Sequence, residues 1–152
     1  MTSILPVTVA DRDEWLPLWL AYLEFYESSL TPEQTALTFE RITDPDHPIH
    51  GAIARDDAGR AIGIVHWFAH PATWSAGPYV YLEDLFVAPD VRGGGVGRAL
   101  IATVTDWARA AAASKVYWLT QSHNATARGL YDRVATDTGF VHYEIELDSA
   151  DA

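Results

Sequence analysis

Hydrophobic residues in the first third of the chain follow the spacing of one strand and two helices. Ile4 to Val9 forms a short apolar run that predicts a strand. Thr31 with Pro32 starts a second helix that runs to about Ile42, because threonine caps helices and proline fits their first turn. A first helix lies between the strand and this second helix. It carries apolar residues at helical spacing: Trp15, Leu18, Trp19, Tyr22, Leu23 and Tyr26.

The middle of the chain alternates apolar runs with turn residues and predicts three strands. Ile49 to Arg55 and Ala61 to Ala69 are joined by the turn residues 56–59, which end in glycine. Pro78 opens a third strand, Tyr79 to Val87. The three strands therefore form a meander.

The last third predicts two helices and two strands. A helix beginning near Val96 has one continuous apolar face. It is followed by a short strand, Lys115 to Thr120, a helix from about Asn124 to Ala135, and a strand, Phe140 to Leu147. The order of elements combines a meander with parallel crossovers, which predicts a mixed α/β fold.

Composition narrows the class of protein. A chain of 152 residues, 49% hydrophobic and 20% charged, suits one globular domain, and we expect residues 1–152 to form it. Ten Lys and Arg against 21 Asp and Glu give a net charge of -11, which disfavours nucleic acid and attracts cationic amines. The absence of cysteine excludes disulfides and a cysteine acyl-enzyme. No apolar run spans a bilayer and no signal peptide opens the chain, so we expect a cytoplasmic protein without membrane contact.

A glycine-rich turn between the third strand and the next helix predicts an anion site. Gly93, Gly94, Gly95 and Gly97 let backbone N–H groups approach a ligand at a helix N-terminus, where anions are favoured. The flanking arginines suit phosphate oxygens. A bare surface turn is the alternative, although such a turn does not require so many glycines. The spacing fits neither a P-loop nor a Rossmann fingerprint.

The segment Arg92-Gly93-Gly94-Gly95-Val96-Gly97 reads Arg-x-x-Gly-x-Gly and follows Leu-x-Val-x-Pro. It resembles the acetyl-coenzyme A signature of the GNAT N-acetyltransferase superfamily. The resemblance implies an α/β single-domain GNAT fold: a central mixed twisted sheet of about six to seven strands, splayed at its centre and flanked by about four helices. It also implies acetyl-CoA as acyl donor, held by Leu85, Phe86, Val87, Arg92, Gly93, Gly94, Gly95, Val96, Gly97, Arg98, Asn124 and Ala127.

A second motif carries the same resemblance. Asn124 to Tyr131 matches the pattern Asn-x-x-Ala-x-x-x-Tyr, and Gly139-Phe140 follows downstream. In that family the tyrosine points at the thioester sulfur, so Tyr131 is implied to protonate the departing thiolate; a packed aromatic is the alternative. The longer segment before Gly139 resembles the small bacterial branch related to histone and diamine acetyltransferases.

The chemistry needs a base, because an amine acceptor is protonated at neutral pH. We expect Glu83 to fill this role, through a water, as the glutamate does in the similar diamine acetyltransferase segment. Strict alternation puts Tyr81, Glu83 and Leu85 on one face of the strand and Asp84 on the other, unless a bulge near Leu85 changes the phase. The alternative is that Glu83 or Asp84 is a structural acid that pairs with an arginine. Backbone N–H groups near Val87 are expected to polarise the acetyl carbonyl.

The acceptor site is expected to be aromatic and acidic. Its candidates are Tyr22, Phe25, Tyr26, Glu27, Trp74 and Tyr81, although helical spacing alone also predicts burial for most of them. The histidines at positions 47, 50, 66 and 70 lack a coherent third ligand, so we expect no metal and read them as loop or hydrogen-bonded strand histidines.

These features predict an acetyl-CoA-dependent N-acetyltransferase that acts on a primary amine, of a small molecule or of a protein lysine, by direct attack in a ternary complex. The resemblance also implies a homodimer. Two alternatives remain: a catalytically silent acyl-CoA sensor of the same fold, and a structural interaction domain that binds no CoA.

Overall fold

A computed structural model describes residues 2–147, which fall into two compact units that divide between Trp118 and Leu119. Within the residues described, the first unit holds five strands and three α-helices, and the second holds one α-helix. The expectation that residues 1–152 form one domain stays a prediction.

The first unit contains a sheet and three α-helices. Its elements are β1 (Ser3–Pro6), α1 (Arg12–Phe25), α2 (Pro32–Thr43), β2 (His50–Arg55), β3 (Ala61–His70), β4 (Tyr79–Val87), α3 (Val96–Ala110) and β5 (Lys115–Tyr117). Single turns of 3-10 helix precede α1 and follow β4, at Val9–Asp11 and Pro89–Val91. The second unit contains α4 (Ala125–Val134).

The five strands form one mixed sheet in the order β1-β2-β3-β4-β5. Neighbours are antiparallel from β1 to β4, and β5 lies parallel to β4 after the α3 crossover. This parallel ladder spans only Tyr79 to Tyr81 on β4. The strand then runs on to Val87, so β4 and β5 are splayed.

Helices cover both faces of the sheet. Gly63 on β3 faces α3, and a Cβ there would lie 3.0 Å from the Leu100 side chain, so only glycine permits this close approach. Its neighbour Ile64 faces the opposite way and joins the cluster built around Trp15 of α1. Leu100 and Trp15 are fully buried, one on each face. Large apolar residues at helical spacing therefore build the two halves of the core.

The predicted fold class is confirmed: a mixed α/β fold with a splayed mixed sheet and four α-helices. The strand count is corrected, because the structure has five strands in residues 2–147 where six to seven were expected. No strand is assigned at the predicted Phe140 to Leu147, where Phe140, Tyr143 and Ile145 are nearly fully exposed. Alternation alone cannot make a strand, since a strand exists only where a ladder partner takes its backbone hydrogen bonds.

The remaining boundaries shift by a few residues. The predicted strand Lys115 to Thr120 ends early, at Tyr117. None of the helices within residues 2–147 is both long enough and apolar enough to cross a membrane.

Candidate active site

The glycine-rich turn has the backbone geometry of an open anion cradle. Gly93 and Gly95 have φ angles of +86° and +88°, in the left-handed region that favours glycine. A Cβ at either position would meet no atom within 4 Å, so the loop surface is open. Ala99 N–H donates to the Gly95 carbonyl at 3.0 Å. The N–H groups of residues 96–98 precede this first helical bond and have no backbone partner in the described chain.

The two arginines that flank the turn differ in their contacts. Arg92 donates from Nε to the Val87 carbonyl at 3.0 Å, and its guanidinium carbon lies 5.4 Å from the centre of the Phe86 ring. Arg92 therefore holds the turn against the end of β4 while other N–H groups of its guanidinium remain available. Arg98 is exposed in the first turn of α3, and its side chain has no ion pair among residues 2–147.

The end of β4 directs backbone groups toward the splayed side of the sheet. Ala88 N–H donates to the Ile62 carbonyl on β3 at 2.8 Å. Because antiparallel partners alternate, Val87 and Leu85 turn their N–H and C=O groups away from β3. Phe86 does the opposite: its backbone faces β3 and its ring is buried in the core. Leu85 and Val87 thus provide backbone groups at the edge where β5 no longer pairs.

A β-bulge lies at Glu83. Tyr81 pairs with Phe68 and Leu82 with Trp67, but the next partner, His66, lies opposite Asp84. Glu83 is thus the additional residue, and the alternation of faces reverses on passing it. The phase expected from strict alternation is wrong beyond Glu83: Asp84, not Leu85, shares the face of Tyr81.

The bulge brings Asp84 into a hydrogen-bonded chain. Trp15 Nε1, which can only donate, lies 3.0 Å from Nε2 of His66. His66 Nε2 must accept this bond, so its proton is on Nδ1 and is donated to Asp84 Oδ2 at 2.9 Å. The Tyr22 hydroxyl donates to the other carboxylate oxygen, Oδ1, at 2.8 Å. Both oxygens of Asp84 are occupied.

Glu83 differs from its neighbour in having no hydrogen bond or ion pair with another side chain in residues 2–147. Partial burial, and then the nearby Asp84 carboxylate, raise the pKa of Glu83, while His66 opposes the rise. A carboxylate that is unpaired and more basic than usual can accept a proton. Asp84, with both oxygens bonded, is the structural acid of the pair.

A cleft of about 240 Å³ opens beside the bulge, between α2 and the sheet. Glu83, Asp84 and His66 line one side, and Trp19 forms part of its apolar wall. The α2 side presents polar residues that the sequence reasoning missed: Gln34, Thr38 and Arg41. Their spacing of four and three residues places them on one face of the helix. This face was recognisable as a polar stripe, but nothing in the sequence showed that a cleft lay beside it.

The acceptor residues expected from sequence surround this region without lining the cleft. Tyr22 is held by Asp84, and the Tyr26 ring contacts it edge-on at 5.2 Å. Burial and then the Asp84 carboxylate raise the pKa of Tyr26, which places its hydroxyl in the same electrostatic field. The Tyr81 ring lies 5.6 Å from Phe68 on the same face of the sheet.

Two further candidates lie elsewhere. Glu27 follows α1 with a φ of +53° and lines a separate open depression of about 430 Å³ with Glu24. Trp74 is 85% exposed in the loop before β4.

The second motif forms α4. Asn124 is its N-cap, as expected: its Oδ1 accepts from Ala127 N–H at 3.4 Å, and its Nδ2 donates to Thr120 Oγ1 at 3.5 Å. Tyr131 is half-buried, one turn beyond Ala127. The cap therefore fixes the start of the helix that carries Tyr131.

The histidines have structural partners. His66 lies in the chain described above, and His70 contacts the Pro71 carbonyl at 2.8 Å and the Tyr117 hydroxyl at 2.7 Å. His47 Nδ1 accepts from Ile49 N–H at 3.2 Å. In the described part of the chain, no group of three or more His, Asp or Glu side chains could hold a metal ion.

Comparison with known proteins identifies the family. Residues 14–135 match the acetyltransferase (GNAT) family. The chain is 38% identical over 135 residues to the D-amino-acid N-acetyltransferase HPA3 of Saccharomyces cerevisiae, covering 88% of this chain and 84% of that protein.

Solved structures agree at the level of the fold. The ribosomal-protein-alanine N-acetyltransferase from Brucella melitensis biovar Abortus 2308 has a TM-score of 0.81 at 23% identity, over 97% of this chain and all of that one. The aminoglycoside N-acetyltransferase AAC(6')-Iy, solved in complex with CoA, has a TM-score of 0.82 at 22% identity, over 96% of this chain and 95% of that one. The protein described here belongs to the GNAT family of acetyltransferases.

Proposed function

We propose that this protein transfers the acetyl group of acetyl-CoA to the primary amine of a small molecule, by direct attack in a ternary complex. The observation that carries the proposal is Glu83: a carboxylate of raised pKa, without a side-chain partner in residues 2–147, on a bulge that borders a cleft. The relative that is 38% identical is named a D-amino-acid N-acetyltransferase, which favours a small molecule over a protein lysine.

The residues present fit the donor. The N–H groups of residues 96–98 and the exposed Arg98 suit the pyrophosphate, and the backbone of Leu85 and Val87 suits the amide-rich pantetheine arm. We assign further contacts to Arg92, Gly93, Gly94, Gly95, Asn124 and Ala127. Acetyl-CoA supplies a thioester whose acetyl carbon accepts the amine nitrogen and whose sulfur leaves as a thiolate.

The chain's own groups move the protons. Glu83 takes a proton from the ammonium of the acceptor, directly or through a water, so that the nitrogen lone pair can form the new C–N bond. The N–H of Val87 donates to the carbonyl oxygen as charge builds there. As the C–S bond breaks, the Tyr131 hydroxyl gives its proton to the leaving sulfur, and the second proton that the acceptor nitrogen loses on becoming an amide returns through solvent to Tyr131. No covalent enzyme intermediate is needed, and the sequence has no cysteine to form one.

The test is release of free CoA thiol from acetyl-CoA with a panel of acceptors. The panel contains D- and L-amino acids, polyamines, aminoglycosides and lysine peptides. We expect release with at least one small-molecule class and none with lysine peptides. Stabilisation of the fold by CoA without thiol release would instead indicate the sensor function, and no stabilisation would indicate an interaction domain; a ligand at 100 times its Kd adds about 2.7 kcal/mol.

Tyr131→Phe tests the proton donor. We expect a lower rate at saturating acetyl-CoA with CoA affinity nearly unchanged, because only the hydroxyl is lost. Tyr143→Phe is the matched control, since Tyr143 is 90% exposed and lies in the same unit. Equal loss of rate and of CoA affinity in Tyr131→Phe would rule out the assignment.

A further inference from the structure

The cleft beside Glu83 carries charges of both signs. Glu83 and Asp84 provide carboxylates on the β4 side, and Arg41 provides a cation on the α2 side. The charge of Asp84 is already met by two hydrogen-bond donors, Tyr22 and His66. Glu83 and Arg41 are therefore the charges left for a ligand.

Arg41 has no ion pair or side-chain hydrogen bond in residues 2–147, although Glu40 and Asp44 are close in sequence. Two other arginines, Arg55 and Arg60, bind carboxylates at 2.8 and 2.7 Å. Arg41 lies in the last turn of α2, where a cation is favoured by the helix dipole. The interaction with the helix dipole does not depend on the cleft. It also provides no hydrogen-bond acceptor for the five N–H donors of the guanidinium.

We propose that Arg41 binds the carboxylate of the acceptor, and that the acceptor is a small α-amino acid whose amine lies at Glu83. This assignment rests on the function proposed above and names its substrate class. An α-amino acid carries an anion and an amine one carbon apart, which matches a cleft with one unmatched cation and one unmatched carboxylate. The planar guanidinium suits a carboxylate, which it can bind through two parallel hydrogen bonds.

The same charges act against other amines. A polyamine brings several positive charges and would set one of them beside Arg41, at an electrostatic cost. A lysine side chain offers no carboxylate next to its amine. The volume of about 240 Å³ lies below the roughly 300–1,000 Å³ of sites for drug-sized ligands, so it suits a molecule of amino-acid size rather than an aminoglycoside.

The experiment compares an amino acid with its amide. Thiol release is measured with both enantiomers of alanine and of alaninamide, in which an uncharged amide replaces the carboxylate. In the unaltered protein we expect kcat/KM to be higher for alanine. Arg41→Gln should lower kcat/KM for alanine by about 10- to 100-fold, the usual loss for a charge-assisted pair, and leave alaninamide unchanged. Arg41→Lys should give an intermediate loss, because it keeps the charge and loses the paired geometry.

Arg109→Gln is the matched control, because Arg109 is exposed on α3 and lies outside the cleft. This variant should leave kcat/KM unchanged for both alanine and alaninamide. Calorimetric titration of alanine into the protein with CoA measures binding without turnover. If thiol is released but kcat/KM for alanine is the same in Arg41→Gln as in the unaltered protein, the Arg41 assignment is overturned and the proposed function stands. If no acceptor releases thiol, the proposed function fails. Calorimetry then still decides the Arg41 assignment: alanine binding that Arg41→Gln abolishes supports it, and the absence of such binding overturns it.

Discussion

Replacing Asp84 by asparagine should cost a defined part of the stability of the fold. The Asp84 carboxylate accepts bonds of 2.9 Å from His66 and 2.8 Å from Tyr22, and its side chain is only 15% exposed. In Asp84→Asn, the amide oxygen can still accept from His66, while the amide N–H₂ donates to the Tyr22 oxygen, which reverses the direction of that bond. The chain of bonds survives, and only its charge is lost.

The magnitude follows from the two bonds. Hydrogen bonds to a charged group contribute about 1.5–3 kcal/mol each, and neutral ones about 0.5–1.5 kcal/mol. The change from charged to neutral therefore lowers the free energy of unfolding by about 2 kcal/mol. For a chain of this length, each kcal/mol corresponds to about 2–4 °C, so Tm should fall by about 4–8 °C. Asp84→Ala should cost more, because it leaves the His66 Nδ1–H and the Tyr22 O–H without acceptors.

The assay is urea and thermal unfolding of both variants beside Asp106→Asn. Asp106 is the control because it is 77% exposed and forms a surface pair with Arg109, so its loss should change the free energy of unfolding by less than about 1 kcal/mol. If Asp84→Asn and Asp106→Asn have the same free energy of unfolding, the bonds at Asp84 contribute nothing measurable. Equal stabilities of Asp84→Asn and Asp84→Ala would refute the reversal of the Tyr22 bond.

Two further variants test the base and the core. Glu83→Gln should lower kcat by about 10²- to 10⁴-fold. In the unaltered enzyme, kcat/KM should fall as pH drops through the raised pKa of Glu83, above the ordinary value of 4.5. Asp84→Asn should move this acid-side fall of kcat/KM to lower pH, because the nearby negative charge is removed. If neither Glu83→Gln nor Asp84→Asn changes the fall, Glu83 is not the general base. Leu100→Ala should lower the free energy of unfolding by about 2–5 kcal/mol in urea, since Leu100 is fully buried. Leu147→Ala, at an 83% exposed position, should leave it unchanged, and equal effects would contradict the burial argument.

Local patterns predicted the helices and the glycine turn because these depend on neighbouring residues. The α2 start at Thr31 illustrates this: its side chain accepts from Gln34 N–H at 3.1 Å, a contact made within four residues. The glycines of the turn likewise permit the positive φ angles found at Gly93 and Gly95. The strand Phe140 to Leu147 was wrong because pairing is not a local property.

The details of the site depended on partners far apart in sequence. The position of the bulge at Glu83 is set by pairing with β3, 17 residues earlier at His66, and no property of β4 alone reveals it. In the sequence, nothing distinguishes Arg41 from other arginines near the end of a helix. Its place in the cleft depends on the sheet residues that lie opposite it. His66 was expected to be a hydrogen-bonded strand histidine, which is confirmed, but its two partners come from α1 and β4.

The stacked indoles of α1 give the cleft an optical signal of its own. Trp15 and Trp19 lie with ring centres 5.5 Å apart and planes 13° from parallel, and Trp19 lines the cleft. Transitions of two chromophores at this separation couple, so the pair should produce a circular dichroism couplet that depends on their mutual angle. An occupant of the cleft would touch one member of the pair and alter that couplet. Acceptors could then be screened by spectroscopy alone, before any acyl donor is added.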